Sequence, residues 1–372
     1  METSEPVMRG AVEAPDLGQL VRGAGPFLSL YLNTERAVEN AGPLSQQRWK
    51  TVRRDLEEEG APGVLLDEID GIVPDAHLHG GCLAVIGAVD HILHVEHGRP
   101  LGPTDVATWG PVPDLLPIVR WRQSEPPYVV VLIDRTGADL FGVRRGAREL
   151  HAEVEGEHDE LRKVLAGGWS QRRYQQRAED SWEQNAEHVA AAVERLVAQV
   201  QPVFVAVAGD VRAVGLLRDS LSKRVDALVH VIDGERPWDG KGDPIPEQVH
   251  ELVAEHVSEE TERLLDRFDE ERGQHDKAVE GVEPTARALA RAQVAVLLIA
   301  DEGDDASTLW FGPDPALLSQ DDRELKELGV DSPERGPARD VLVRAALGTG
   351  AGMRVVDDGT MLDEGAGALL RW

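Results

Sequence analysis

The sequence predicts an α/β fold, α+β in part, with three domains that each pair a mixed sheet with packed helices. Three observations predict it. Short, continuous, β-branched runs bounded by turn residues recur along the chain, as in strands buried on both faces. Polar stretches with apolar residues at helical spacing alternate with those runs, which implies layers of helices on sheets. Two linkers, Ser124-Glu125-Pro126-Pro127 and the Gly- and Pro-rich residues 234–244, cut the 372 residues into segments of ordinary domain size: 1–123, 124–236 and 237–372.

In the first segment, residues 27–32 (Phe-Leu-Ser-Leu-Tyr-Leu) read as a strand entered through Gly25-Pro26, and residues 45–58 as a helix. Residues 81–87 and 91–95 read as two strands joined by a turn at Ala88-Val89-Asp90. A Pro-rich stretch with Pro100, Pro103, Pro111, Pro113 and Pro117 follows. The second segment opens with Tyr128-Val129-Val130-Val131-Leu132-Ile133, a strand buried on both faces, and turns at Asp134-Arg135-Thr136-Gly137 into a partner strand over 138–143. A helix over 185–199, a buried strand over 202–209, a helix over 211–221 and a strand over 228–232 complete it. The third segment starts with a long charged helix over 246–274, whose Val249, Leu252, Val253, His256 and Val257 keep helical spacing. A helix over 283–292, strands over 294–300 and 308–311, a helix over 338–347 and a closing strand over 366–372 follow.

Composition narrows the function classes. There are 68 acids against 39 bases, a net charge of −29, which argues against general affinity for nucleic acid, since phosphate contacts need clustered Lys and Arg. The single cysteine, Cys82, sits in an apolar run and reads as a small buried residue; one thiol makes neither an internal disulfide nor a cysteine zinc site. No apolar run approaches the ~18–20 residues of a spanning helix. The start, Met1-Glu2-Thr3-Ser4-Glu5-Pro6, lacks the basic and apolar regions of a secretory signal. The expectation is a cytoplasmic protein with no membrane partner.

Against this acidity one window reverses sign. Residues 161–177, Leu-Arg-Lys-Val-Leu-Ala-Gly-Gly-Trp-Ser-Gln-Arg-Arg-Tyr-Gln-Gln-Arg, hold five bases (Arg162, Lys163, Arg172, Arg173, Arg177) and no acid. Gly167 and Gly168 permit close backbone approach to a partner. Trp169 and Tyr174 offer faces on which a base stacks, and Ser170 and Gln171 donate and accept hydrogen bonds without charge. Such a set suits insertion into a phosphate-dense RNA cavity; a solvated turn feeding a surface helix would use the same residue types.

Competing motifs are missing. There is no Gly-x-x-x-x-Gly-Lys-Ser/Thr phosphate loop, no Gly-x-Ser-x-Gly elbow and no His-Glu-x-x-His helix. His91, His94 and His97 have a spacing that could hold a metal, but no paired carboxylate singles them out, so no metal or cofactor is expected. Glu153, Glu155, Glu157 and Asp159, with His151 and His158, read as a solvated acidic face rather than a cation site.

At Gly167-Gly168-Trp169-Ser170-Gln171-Arg172-Arg173-Tyr174-Gln175 the chain resembles the archaeo-eukaryotic class-one release factor and Pelota superfamily, in its actinobacterial release-factor-like branch, related to the hibernation factor Balon. The resemblance extends to the strand, hairpin, loop, helix, strand order of 128–232. It also covers the segment Leu264–Glu270, Val279–Thr285 and Val294–Ile299, and the closing Gly365–Trp372; the first domain matches weakly. It implies a Pelota-like architecture, a ribosomal partner (ribosomal RNA at the tRNA site) and delivery by elongation factor Tu or another translational GTPase. In the family a Gly-Gly-Gln glutamine helps water attack the peptidyl-tRNA ester. Here Trp169 stands at that position and Gln171 lies two residues later. The resemblance therefore implies either a non-catalytic A-site factor of hibernation, stress or rescue, or a peptidyl-tRNA hydrolase that uses Gln171. No Asn-Ile-Lys-Ser stop-codon motif is present.

Overall fold

The computed structural model describes residues 11–23, 25–34, 41–78, 81–98, 105–144, 147–155, 170–234, 247–274, 277–301, 307–357 and 362–372. The chain divides into two compact units, one of residues 1–124 with 257–372, the other of residues 125–256.

In the first unit the elements in chain order are α1 (Pro15–Leu20), β1 (Phe27–Asn33), α2 (Ala41–Glu59), α3 (Gly63–Ala76), β2 (Cys82–Ala88), β3 (His91–Gly98), β4 (Val106–Gly110) and α4 (Leu116–Ser124). The four strands form an antiparallel sheet ordered β3-β2-β1-β4. Alternation along β1 and β2 divides their side chains between two cores. Leu28, Leu30, Leu32, Leu83 and Val85 pack with Trp49, Leu56, Leu65 and Ile69 of α2 and α3. Tyr31, Cys82, Ala84 and Ile86 join a larger core with Trp121 and with residues from the end of the chain, among them Leu297, Leu342 and Met353. The first and last segments of the sequence thus share a core, and Cys82 is buried in it.

The remainder of this unit holds β10 (Ala278–Glu280), a helix over Val282–Ala290, β11 (Val294–Ala300), β12 (Thr308–Phe311), β13 (Leu318–Ser319), β14 (Glu334–Pro337), a helix over Ala338–Thr349, β15 (Gly352–Val356) and β16 (Ala366–Leu370). One sheet runs β10-β16-β11-β15, with β11 and β15 parallel; β13-β12-β14 make a small antiparallel sheet. Arg371 donates to the carbonyls of Ala292, Thr349 and Gly350, placing a cation where these two helices end.

The second unit contains β5 (Tyr128–Ile133), β6 (Gly137–Arg144), β7 (Ala147–Glu155), α5 (Ser170–Val200), β8 (Phe204–Gly209), α6 (Val211–Ser220), α7 (Lys223–Asp226) and β9 (Val229–Val231), and ends within α8 (Glu247–Gln274). Its sheet is ordered β7-β6-β5-β8-β9, with β5, β8 and β9 parallel and β6 and β7 antiparallel. Val129, Val131, Ile133, Val205 and Val207 face Val189, Val193, Leu196 and Val200 of α5 and Val214 and Leu217 of α6. Val130, Leu132, Phe204, Ala206 and Ala208 point the other way, onto Val249 and the half-buried Leu252 and Val253 of α8. Both faces of β5 and β8 are covered, which is why these strands read as unbroken apolar runs.

Several elements differ from the sequence expectation. The helix expected over 185–199 begins at Ser170. Residues 170–184 are too polar to show an apolar stripe, yet contain neither Gly nor Pro and are rich in Gln, Arg and Glu, which helices accept readily. The Pro-rich stretch after residue 100 holds β4 and α4; Pro117 stands in the first turn of α4, where its missing N–H costs no hydrogen bond. Helix α3 was not expected, since Gly63, Gly71 and Pro74 mask its apolar Leu65, Leu66, Ile69 and Val73. The acidic run from residue 151 begins as strand β7, whose Leu150 and Val154 pack against the core.

Candidate nucleic-acid interface

Strand geometry sets the end of the second unit at which β7 ends. In register, Ile133 of β5 lies opposite Ala138 of β6 and Gly209 of β8, and Gly137 opposite Glu155 of β7. β5 and β8 end, and β6 starts, on one edge of the sheet, and β7 also ends there. The chain from β7 to α5 departs from this edge. Of the predicted site residues, Arg162, Lys163, Gly167, Gly168 and Trp169 lie outside the described residues. Ser170 is the first residue of α5, and Gln171, Arg172, Arg173, Tyr174 and Arg177 occupy its first turns. The structure thus brings six of the eleven onto the start of one helix.

Among the described side chains of α5, the buried ones run from Asn185 and Ala186 to Val200. Fifteen residues separate Ser170 from Asn185, about 22 Å of helix axis at ~1.5 Å per residue. Asn185, itself buried, donates from Nδ2 to the backbone oxygen of Arg135 at 3.2 Å, in the turn between β5 and β6. Asp134 Oδ1 fixes that turn by accepting from the Thr136 amide (2.7 Å), the Thr136 hydroxyl (2.7 Å) and the Gly137 amide (2.9 Å).

The next strand end contributes Asp210. Its Oδ1 accepts from the amides of Arg212 (3.0 Å) and Ala213 (3.2 Å), capping α6, and its Oδ2 accepts from Arg135 Nε (3.1 Å) and Nη2 (2.9 Å). Slight burial pushes the Asp210 carboxyl up, but the Ala213 amide, the Arg135 side chain and the Arg212 amide outweigh it and hold it below the usual carboxylate range. Gly209 lets β8 come this close: its φ is 142°, and a Cβ there would stand 1.7 Å from the Ile133 carbonyl oxygen. Sequence reasoning singled out neither Asn185 nor Asp210. An Asp directly ahead of a helix is a readable cap signal, but the partner Arg135 lies 75 positions away.

The histidines expected to be a weak metal candidate make other contacts. His94 Nε2 is 2.8 Å from Glu96 Oε2, and His91 Nδ1 is 3.2 Å from Asp90 Oδ1. His151 stacks on Phe141 with ring centroids 4.7 Å apart; His158, Glu157 and Asp159 lie outside the described residues. Among the described residues no three His, Cys, Asp or Glu side chains are grouped to hold a metal ion.

A central mixed sheet entered through two hairpins and followed by a long helix makes up the segment that is similar to archaeo-eukaryotic release-factor-like bacterial proteins. Residues 127–274 match the family model of bacterial archaeo-eukaryotic release factor family 2. Over 367 residues, 95% of each chain, the sequence is 27% identical to the Mycobacterium tuberculosis protein Rv2629 of strain H37Rv, and equally to MT2704 of strain CDC 1551. Among solved structures it is similar to archaeal translation termination factor aRF1 (TM-score 0.27, 15% identity, 96% of each chain). It is also similar to Archaeoglobus fulgidus Pelota (TM-score 0.33, 14% identity, 97% of this chain and 93% of that one).

Proposed function

We propose that this protein is a cytoplasmic translation factor that binds the ribosomal A site during hibernation, stress or rescue, without reading stop codons and without chemistry of its own. The observation that carries the reading is a window of five bases and no acid in an acidic chain, whose Arg172, Arg173 and Arg177 stand in the first turns of α5, inside the segment that matches a release-factor family. A positively charged tip on an anionic body concentrates attraction for RNA at one place. Arg162, Lys163, Arg172, Arg173 and Arg177 contact ribosomal phosphates in this reading, Trp169 and Tyr174 stack, and elongation factor Tu or another translational GTPase delivers the protein. No helix among the described residues is long and apolar enough to cross a membrane. The test is co-sedimentation with ribosomes at near-physiological salt. Wild type pellets with them and Arg172→Ala/Arg173→Ala does not; wild type remaining in the supernatant defeats the proposal.

A second reading, peptidyl-tRNA hydrolysis, is favoured by Gln171 standing in the first turn of α5 directly after Gly-Gly-Trp-Ser. There Gln171 orients water against the ester. Peptide release from stalled ribosomes that is equal for wild type and Gln171→Ala removes Gln171 as a catalyst.

A further inference from the structure

We propose that the place in the first unit where Arg22, Arg291 and Arg371 meet is a second RNA-facing surface, which takes backbone phosphates apart from residues 162–177. Helix ends build it. The helix over Ala338–Thr349 stops at Gly350, whose φ of 68° turns the chain out of the helix, and the helix over Val282–Ala290 stops at Arg291. Arg371, just past β16, bridges the two ends. Its Nη1 donates to the Ala292 carbonyl at 3.3 Å, and its Nη2 to the carbonyls of Gly350 at 2.8 Å and Thr349 at 3.4 Å. Its own amide donates to the Gln293 carbonyl at 2.8 Å. Arg22, just past α1, donates from Nη2 to the neighbouring carbonyl of Gly348 at 3.4 Å. Arg22 thus stands at one of the two helix ends and Arg291 at the other, with the Arg371 guanidinium joining them.

Charge decides what this surface attracts. Elsewhere arginines meet carboxylates: Arg53 meets Asp67 and Asp70, and Arg272 meets Asp269 and Glu280. Among the described residues, Arg22, Arg291 and Arg371 pair with no carboxylate; Arg22 and Arg371 rest on carbonyls instead. A helix C-terminus carries roughly half a negative charge, so the two ends offset about one of the three positive charges. About two remain, and salt near ~0.1 M screens the acidic body beyond ~10 Å, so they act locally. Arg22 and Arg291 are exposed and keep donors for phosphate oxygens: Arg22 commits one Nη, and the Arg291 side chain commits none. Arg371, half-buried with both Nη atoms engaged, is a fixed charge between them. Trp372 follows with 65% of its surface exposed, a face on which an unpaired base stacks. Held guanidinium groups beside an open indole match a single-stranded stretch of RNA, whereas an acidic peptide matches the charge alone.

The choice of RNA rests on the reading of the chain as a ribosome-binding factor, and the test keeps the two claims apart. The full-length protein is titrated into a fluorescein-labelled oligouridine RNA at several KCl concentrations, and affinity is read by anisotropy. Arg22→Gln/Arg291→Gln, which keeps a neutral donor for the Gly348 carbonyl, should flatten the log–log salt slope by about 1.4, at about 0.7 per phosphate contact on a single strand. If residues 162–177 do not bind RNA, Arg172→Ala/Arg173→Ala keeps the full slope while Arg22→Gln/Arg291→Gln still lowers it. Arg195→Gln/Arg224→Gln removes the same charge from exposed arginines of the second unit and should leave the slope as it is. If Arg22→Gln shifts the urea midpoint, Arg291→Gln alone decides, since its side chain bonds nothing among the described residues. The proposal is overturned by an unaltered protein that does not bind, by a slope that Arg291→Gln leaves unchanged, or by an equal loss in Arg195→Gln/Arg224→Gln. Equal affinity for poly-L-glutamate also overturns it, in favour of an acidic protein partner.

Discussion

The cluster around Glu96 allows a prediction to be worked through. Glu96 on β3 is buried, with its side chain 5% exposed, and Arg122 of α4 reaches it with an 11%-exposed side chain. Arg122 Nη2 donates to Glu96 Oε2 at 2.7 Å and Nε to Oε1 at 3.2 Å, while Nη1 and Nη2 also bond the exposed Asp16 of α1 at 2.9 and 2.7 Å. Burial pushes the Glu96 carboxyl up, but hydrogen bonds from His94 and Arg122 and the Arg122 charge prevail and hold it below its ordinary value. Arg122→Met keeps the apolar stem and strands the carboxylate. Removing one partner of a buried pair costs about 3–5 kcal/mol, whereas replacing both is far milder. The expected loss at pH 7 is therefore about 3–5 kcal/mol, and Glu96→Gln added to Arg122→Met recovers most of it.

The pH dependence has a definite sign. In the unaltered protein the folded carboxyl titrates below its unfolded value of about 4.3, so its stabilisation is present above that value and is lost as pH falls through the folded one. In Arg122→Met burial meets only the His94 bond, the folded value rises, and the cost of the stranded charge fades as pH falls into the carboxylate range. The two proteins should differ most near neutrality and converge toward pH 4. Urea unfolding, with hydrogen exchange of β3 and α4 amides to localise the transition, measures this. A loss below about 1 kcal/mol at pH 7, or a gap that widens on acidification, refutes the reasoning.

Gly98→Ala would place a Cβ 1.1 Å from Cζ2 of the buried Trp121; the indole must leave its site, and a loss of at least ~3 kcal/mol with a red-shifted Trp emission is expected. Tyr31→Phe removes the buried hydroxyl that donates to the Asp114 carbonyl at 2.6 Å and should cost about 1–1.5 kcal/mol in urea unfolding with no change in structure. Ribosome affinity should fall linearly with the logarithm of salt concentration, and each of Arg172→Ala and Arg173→Ala should flatten that log–log slope by about 0.7, the single-strand value per phosphate contact, in a filter-binding titration.

The fold was most legible where burial on both faces removes all ambiguity. Strands 128–133 and 294–300 were located from their apolar runs with the observed bounds. Legibility dropped where a local signal competes with a tertiary one. Pro111, Pro113 and Pro117 speak for a loop, yet Leu116, Ile118, Val119 and Trp121 bury one face of α4 in the large core. The shared core of the first and last segments arises from pairings such as Gln123 with Val355, 232 positions apart, which no window of sequence contains. In the candidate site, charge and composition marked the residues at the start of α5. The contacts of Asn185 and Arg135 were invisible, since they arise only when the sheet gathers distant strand ends at one edge.

Among the described residues, the side chains that α5 gives to the hydrophobic core of the second unit run from Val189 to Val200. Val189, Val193, Leu196 and Val200 recur at helical spacing, so this stretch of α5 is held on the sheet by one apolar stripe. Aliphatic exchanges that keep the volume of that stripe should leave the melting of the second unit nearly unchanged.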